Sequence, residues 1–524
     1  MKILVCFKIL PNPDRVLTED WDNFSLSTDL RYAGMDFNCF DQSALELGLQ
    51  IRDQMAVQGA EASCTAVTVS DTMPETLFSN LYAVGYDRVL CIPDKYREFR
   101  PRKIASLLAD VAEQEKPDLI LTGTQAGLSQ TGMVPYFMAS RLHLPLLGEV
   151  EQLCWSGDGL TARSRGPEGL VERKTALPVI CAVGNSPEVL RFAGLRERML
   201  CRSKKAELLP EVTDYGNYPD PKLTRPDTGR SCTLLDGSDP AGRTELMARL
   251  RKAAGTGGER KNGADGLSQE ERDFLNRHGL KFRPPLNRKG DPAELADIFE
   301  REQPHVMLLP DDEQGRTLCT ALADELQISC FFGGRLTQLH PRYATVQKRV
   351  CASNLEWTEY LPLPTVLTLT PEEWARFDGV REAAVPESGP ELCPGALVEP
   401  ARAGMLRSAD LVIICGCGMK NRENVDRARL LAEKLGAGFG LTRPAALNGW
   451  GSTAEIVGQS GSVLAPRCVL TLGAAGAGAF LAGIEHAETI IAVNTDPEAL
   501  IFKNADLGLE ADAPALTEAL LNLC

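Results

Sequence analysis

Between residues 409 and 524, glycine-bearing turns recur at the ends of short, wholly apolar runs, and this recurrence restricts the fold more than any other feature of the chain. Strands are expected over 410–414, 468–472, 489–493 and 507–510, and a helix over 423–435. The turns are Gly416-Cys417-Gly418-Met419-Lys420, Leu441-Thr442-Arg443, Val457-Gly458-Gln459-Ser460-Gly461 with Gly473-Ala474-Ala475-Gly476, and Asn494-Thr495-Asp496-Pro497. Continuous apolar strands alternating with helices imply a parallel sheet covered on both faces. In such a doubly wound sheet, ligands bind at the carboxyl ends of the strands, where these turns fall. Glycine lets backbone N–H groups approach a diphosphate, and a helix N-terminus adds positive potential. Ser460 is suited to bond phosphate, and Asn494 and Asp506 to hold ribose or adenine-side groups. The first turn is not a full GxGxxG, because Asn421 stands at the third glycine position. The weight lies in the order of all the turns together.

The first 200 residues repeat the alternation, with strands expected over 3–7, 63–69, 88–92 and 119–122 and helices over 41–55 and 74–84. Gly157-Asp158-Gly159, within 153–162, reads as a hairpin turn. Residues 206–290 are polar and rich in Gly and Pro, and read as a linker with a helical piece over 243–253. The α/β pattern resumes at 291 with an internal echo: 113–121 resembles 300–308, each leading from a helix into a strand and on to a second helix (133–142 and 316–326). A proline-bearing linker over 381–408 precedes the C-terminal domain.

The net charge of −15 argues against a nucleic-acid binder, which would carry a basic stripe. No apolar run approaches the ~18 residues of a membrane span. Pro11 and Pro13 follow the short apolar start, which reads as a buried strand rather than a signal peptide, so a cytoplasmic location is expected. The 16 cysteines are scattered without a CxxC, so they read as free thiols and no metal site is expected.

The strings VGQSG (457–461), NTDPEALIF (494–502) and ADLGLEAD (505–512) closely resemble the FAD-binding domain of the electron transfer flavoprotein alpha subunit, and the likeness extends over 416–424, 440–443 and 481–483. Residues 1–205 resemble the beta subunit of that family, through Asn38-Cys39-Phe40-Asp41, Ala83–Arg88, Gly123-Thr124-Gln125-Ala126, Gln130-Thr131-Gly132 and Arg191–Leu195. Residues 291–380 resemble the alpha subunit's first domain more weakly. The implied order is beta, then alpha, in one chain: α/β nucleotide-binding domains followed by a doubly wound FAD domain over 409–524.

The resemblance implies an FAD-mediated electron carrier without catalytic residues of its own. Cys417, Gly418, Thr442, Arg443, Gly458, Gln459, Ser460, Gly461, Gly476, Ala477, Phe480, Asn494, Asp506 and Leu507 would line the FAD site, with Thr442 and Arg443 at the flavin ring. It also implies a second nucleotide, AMP or a second FAD, held by Phe7, Lys8, Asn38, Phe40, Asp41, Val69, Gly123, Gln125, Ala126, Gln130, Thr131 and Gly132. The short Gly127-Leu128-Ser129 loop leaves an empty pocket as a third option. Cys417, Ala475, Ala479 and Phe480 stand where the family carries polar or cationic residues, which implies a lower flavin potential or a less stable anionic semiquinone. Leu195 matches the family's partner loop, or else caps a helix on its own domain. The implied partner is a flavoprotein dehydrogenase of the acyl-CoA dehydrogenase type, and fusion of two subunits is compatible with a self-sufficient monomer. Two other readings remain: an electron-bifurcating protein that oxidises NADH through the second FAD, and a nucleotide-binding module without redox function. A thiamine-diphosphate enzyme is disfavoured, because no paired asparagines follow Gly157-Asp158-Gly159.

Overall fold

The computed structural model describes residues 1–524 apart from 73, 95–97, 158, 167–168, 211–219, 227–228, 237–238, 256–281, 284–291, 352, 371–372, 374–395, 401–405, 407–408 and 460. The chain groups into two units, one of Met1–Thr224, Lys261–Val350 and Glu356–Glu399, the other of Arg225–Arg260, Cys351–Leu355 and Pro400–Cys524.

The first unit is built on a ten-stranded sheet. Lys2–Cys6 pairs in parallel with Ser63–Ser70 on one side and Leu119–Gly123 on the other, and Val179–Val183 continues the parallel run. The period-2 geometry of a strand sends Leu4 and Cys6 into one apolar core and Ile3 and Val5 into another. Helices Pro101–Glu115 and Val134–Leu142 cover the first face, and Cys39–Val57 and Glu75–Val84 the second. Beyond Leu146–Trp155 the sheet turns antiparallel, and the expected hairpin joins that strand to Leu160–Gly166.

The internal echo is a repeated helix–strand–helix unit. Pro101–Glu115 leads to Leu119–Gly123 and Val134–Leu142, and Pro292–Glu302 leads to Val306–Pro310 and Glu313–Glu325. Lys116 (φ 51) and Gln303 (φ 46) hold left-handed conformations at matching places after the first helix of each. Val306–Pro310 lies in a four-stranded parallel sheet with Thr365–Leu369 and Ser329–Phe332.

The second unit is a six-stranded sheet in the order Thr233–Asp236, Leu507–Glu510, Thr489–Asn494, Cys468–Leu472, Leu411–Cys415, Gly438–Leu441, all parallel. Its first strand comes from the segment expected to be a linker. Thr233–Asp236 pairs with Leu507–Glu510, and helix Pro240–Gly255 buries Leu246, Met247 and Leu250 in the same core as Ile413 and Leu470. Four residues at a sheet edge carry too little periodicity to be read as a strand in isolation. Among the described residues no helix is long and apolar enough to cross a membrane, and no cluster of His, Cys, Asp and Glu could hold a metal ion.

Candidate functional sites

In the second unit, Cys415, Leu441, Leu472, Asn494 and Glu510 end their strands at one edge of the sheet, and the expected turns follow four of them. The two glycine turns are stacked on each other. Gly416 N–H donates to Leu472 O and Gly418 N–H to Gly473 O, both at 2.9 Å. A Cβ on Gly418 would lie 2.7 Å from Gly473 Cα, so only glycine permits the crossing. Gly473 is also left-handed (φ 67).

The third turn is tied internally as well. Gly458 N–H donates to Ser462 O, Gly461 N–H to Gly458 O, and Gln459 N–H to Ala479 O at 2.7 Å. A Cβ on Gly461 would press on Ile456 C at 2.6 Å, and Gly458 is left-handed (φ 135). Gly476 (φ 89) lies against Ile501, whose N–H donates to Ala475 O. These glycines therefore serve close packing of backbone on backbone. Their N–H groups are largely taken up inside the loops, contrary to the expectation that they would be presented to a diphosphate. Ser460 lies outside the described residues.

Donors at this edge come instead from side chains. Arg443 begins the short helix Arg443–Ala445 directly after the buried Thr442. The preceding strand is braced by the Arg429–Glu455 ion pair, with the Arg429 guanidinium 4.2 Å above the Phe439 ring. Glu455 also completes a capping box with Ser452. Asn494 donates from Nδ2 to Ala474 O and accepts at Oδ1 from Asp496 N–H. Lys420, left-handed at φ 72, pairs with Asp512. Cys417 accepts a long contact from Asn448 Nδ2 at 3.8 Å, and partial burial pushes its thiol up. Ala477 caps helix Gly478–Leu481, which turns Phe480 into the apolar core, 6% exposed.

Asp506 and Leu507 are not brought to this edge. They stand where Leu507–Glu510 begins, at the opposite edge, and the Asp506 carboxylate is held by Arg230 and by Ile490 N–H (2.7 Å). Asp512 is the acidic residue that follows this strand at the edge where the turns gather. The two aspartates bracket one strand, and the signal was which of them follows it.

The first unit holds a cavity of about 100 Å³ at the carboxyl ends of Lys2–Cys6, Ser63–Ser70 and Leu119–Gly123. Of the residues singled out for a second nucleotide, Phe7, Lys8, Asp41, Val69, Gly123, Gln125, Ala126, Thr131 and Gly132 line it. Asn38, Phe40 and Gln130 are buried behind the wall. Asn38 Nδ2 donates to Gln125 O at 2.8 Å, and Asp41 accepts from Lys8 N–H (2.7 Å) and Gly123 N–H (2.8 Å). A side chain at Gly123 would overlap that carboxylate. Burial raises Asp41 to about 7, against the opposing pull of its N–H donors. The sequence reading missed Arg100, Thr122, Thr124 and Ser129, which also line the cavity. Thr122 is only 4% exposed, and its Oγ1 makes no hydrogen bond among the described residues.

Leu195 is 70% exposed at the start of helix Leu195–Cys201. Phe192 (96%), Met199 and Leu200 are exposed beside it, forming an apolar patch. The patch follows Arg191, which pairs with Glu46 at 2.7 Å and Asp53 at 2.6 Å.

Comparison with known proteins gives two matching family models: the electron transfer flavoprotein domain over residues 30–204, and the electron transfer flavoprotein FAD-binding domain over residues 405–485. The chain is 42% identical over 119 residues to the mitochondrial electron transfer flavoprotein subunit alpha of Dictyostelium discoideum, covering 22% of this chain and 34% of that protein. It is 30% identical over 240 residues to the putative electron transfer flavoprotein subunit YgcQ of Escherichia coli, covering 43% of this chain and 81% of that protein. It is 27% identical over 255 residues to the lactate dehydrogenase (NAD(+),ferredoxin) subunit LctC of Acetobacterium woodii, covering 44% of this chain and 58% of that protein. The chain spans about a third of the length of the mitochondrial alpha subunit it matches.

Proposed function

The chain belongs to the electron transfer flavoprotein family, and from that premise we propose that it is a one-chain electron carrier, beta-like over 1–205 and alpha-like over 291–524, passing electrons through FAD between a flavoprotein dehydrogenase and a downstream acceptor. The observation that carries this reading is the gathering of the turns after Cys415, Leu441, Leu472 and Asn494 at one sheet edge, largely within the matched FAD-binding domain. The donor set fits the group: cations at Arg443 and Lys420 suit a diphosphate or an electron-rich ring, and the amides of Gln459 and Asn494 and the carboxylate of Asp512 suit ribityl, ribose and adenine edges. FAD bound there supplies reversible electron transfer.

In this reading the chain's own residues bind, orient and tune. Arg443 would hold the flavin ring and favour negative charge on it, because a guanidinium stays ionised and presents a rigid fork of donors. Cys417, Ala475 and Ala479 withhold polar contacts, and Phe480 turns away into the core, so the potential lies below that of a site with donors in those positions. The FAD domain is 409–524 completed by Thr233–Asp236 and Pro240–Gly255. The first-unit cavity takes a second nucleotide, AMP or FAD. The apolar patch at Phe192, Leu195 and Met199 docks a flavoprotein dehydrogenase of the acyl-CoA dehydrogenase type.

The test is an absorbance spectrum of the purified chain with extraction and identification of its nucleotides. One FAD and one further adenine nucleotide per chain are expected, and a colourless protein that FAD cannot reconstitute would refute the carrier. A second reading, an electron-bifurcating flavoprotein, is favoured by the likeness to LctC, whose name carries both NAD(+) and ferredoxin. Two FAD per chain with NADH oxidation would select it.

A further inference from the structure

We propose that Cys319 and Cys330 form an oxidation site, at which hydrogen peroxide converts the two thiols into a disulfide that ties helix Glu313–Glu325 to strand Ser329–Phe332. The site lies within the first unit and does not depend on which nucleotides the chain holds.

The two sulfurs converge on one residue of the four-stranded parallel sheet. Cys330 stands opposite Val366 in the register of Ser329–Phe332 against Thr365–Leu369. Cys319 reaches down from the helix, and its Sγ donates to Val366 O at 3.6 Å. Register partners send their side chains to the same face of a sheet, and Cys319, Val366 and Phe332 share one apolar core against which Cys330 packs. Within that core the two thiols hydrogen-bond to each other. Thiols in such contact need only a small movement to reach the S–S bond length of about 2 Å.

Their surroundings give the two thiols different tasks. Cys319 is buried, and burial pushes its thiol well up. Cys330 is half-buried, and the hydrogen bond from Cys319 holds its thiol below the usual value, with the Arg102 guanidinium adding to the effect. Arg102 is placed there by Asp324 at 3.2 Å and lies 4.8 Å from the centre of the Phe137 ring. At Cys6, Cys64 and Cys181, by contrast, burial pushes the thiol up. The thiolate is the nucleophile, so Cys330 attacks first. Its sulfur forms an S–O bond as the O–O bond of the peroxide breaks, and the leaving oxygen takes the thiol proton and departs as water. Cys330 is then a sulfenic acid, oxidised by two electrons while the peroxide is reduced. Cys319 Sγ attacks that sulfur, the S–S bond forms, the S–O bond breaks, and the hydroxyl leaves with the Cys319 proton as a second water. The bridged helix is the one whose first turn holds Arg173 through Glu313 (2.9 Å) and Glu149 through Arg316 (3.8 Å). Oxidation therefore stiffens the join between the two sheets of the first unit.

The test treats the full chain with hydrogen peroxide, quenches with catalase and an alkylating agent, and maps the cysteines by mass spectrometry of a digest made without reductant. Wild type is expected to yield a peptide pair linked through Cys319 and Cys330, to lose alkylation at both, and to recover it with dithiothreitol. Its thermal midpoint should rise by about 4–10 °C on oxidation and fall back on reduction. Cys330→Ser should abolish both the bridge and the rise. Cys319→Ala should leave Cys330 as a sulfenic acid that dimedone traps. Circular dichroism of each variant before treatment reports that the fold survives. If wild type stays unbridged while the exposed Cys39 and Cys154 are oxidised, or if Cys330 links to a different cysteine, the site is overturned. If Cys319→Ala shows no dimedone adduct at Cys330, the assignment of Cys330 as the attacking thiol is overturned. A bridge that leaves the midpoint unchanged overturns the stiffening.

Discussion

Gly476→Ala should damage the flavin domain well beyond the usual cost of replacing a left-handed glycine. Gly476 has φ 89, and a Cβ there would lie 2.6 Å from Ile501 Cα and nearer still to Ile501 N. Both are backbone atoms, pinned by the Ile501 N–H bond to Ala475 O at 3.1 Å, so the neighbour cannot simply rotate away. Left-handed strain costs about 1–2 kcal/mol, and forcing an added methyl into packed surroundings about 1–3 kcal/mol more, for a total of about 2–5 kcal/mol. Gly436 supplies the control, because it is also left-handed (φ 65) but a Cβ would meet nothing within 4 Å. Gly436→Ala should therefore cost only the strain, about 1–2 kcal/mol. Thermal unfolding followed by flavin release separates the two, since each kcal/mol moves the midpoint by about 2–4 °C in a domain of this size. Equal midpoints for the two variants would refute the claim that backbone-on-backbone packing is what requires glycine at 476.

Asp41 should make the first unit less stable as pH rises. Its folded pKa of about 7 lies above the ordinary carboxylate value of 3.8, so the folded state holds the extra proton between these values and stability declines from about pH 4 to about pH 7, by an amount on the order of 4 kcal/mol. Asp41→Asn should flatten that slope in urea titrations at pH 5 and pH 8. It should also lose about 1–3 kcal/mol at pH 5, because one of the two N–H donors is left without an acceptor. An unchanged slope would show that Asp41 is not the titrating group. Asp512→Asn should speed FAD loss on dialysis, whereas Asp506→Asn should lower the melting point with flavin content kept, and the reverse pattern would contradict the edge assignment. Cys417→Arg should raise the two-electron potential by about 30–60 mV, the equivalent of one charge-assisted hydrogen bond, in a spectroelectrochemical titration.

What the sequence disclosed followed strength of pattern. Runs such as Leu411–Cys415 and Cys468–Leu472 are apolar at every position because both faces of a parallel sheet are covered, and their ends lay within a residue or two of expectation. Gly438–Leu441 was harder to read, because two glycines in four residues mimic a turn. Gly440 is needed where Val457 packs against it, with a Cβ only 2.6 Å from Val457 Cγ2. The antiparallel sheet of Arg335–His340, Tyr343–Val350 and Leu355–Pro362 mixes polar and apolar residues without clean alternation, and no strand was read there. Arg100 and Thr122 carry no motif. They become cavity residues only when helix Pro101–Glu115 folds back against the strand ends, which is tertiary information.

The two sites divide backbone and side-chain labour in opposite ways, and this bears on how each tolerates change. At the edge proposed for the flavin, glycine turns bind one another through their own N–H groups, and side chains such as Arg443, Gln459 and Lys420 stand in or beside the turns. Exchanging a side chain there, as at Cys417 or Ala475, alters electrostatics without unmaking the loops. At the cavity, by contrast, the side chains of Asn38 and Asp41 hold the wall itself, through Gln125 O, Lys8 N–H and Gly123 N–H, while two helix starts without side-chain caps line it. Changing Asn38 or Asp41 reshapes the pocket before it alters any contact. If FAD is held at the first edge, that edge is therefore free to vary in redox tuning over a fixed scaffold, whereas a change at Asn38 or Asp41 disturbs the scaffold of the cavity itself.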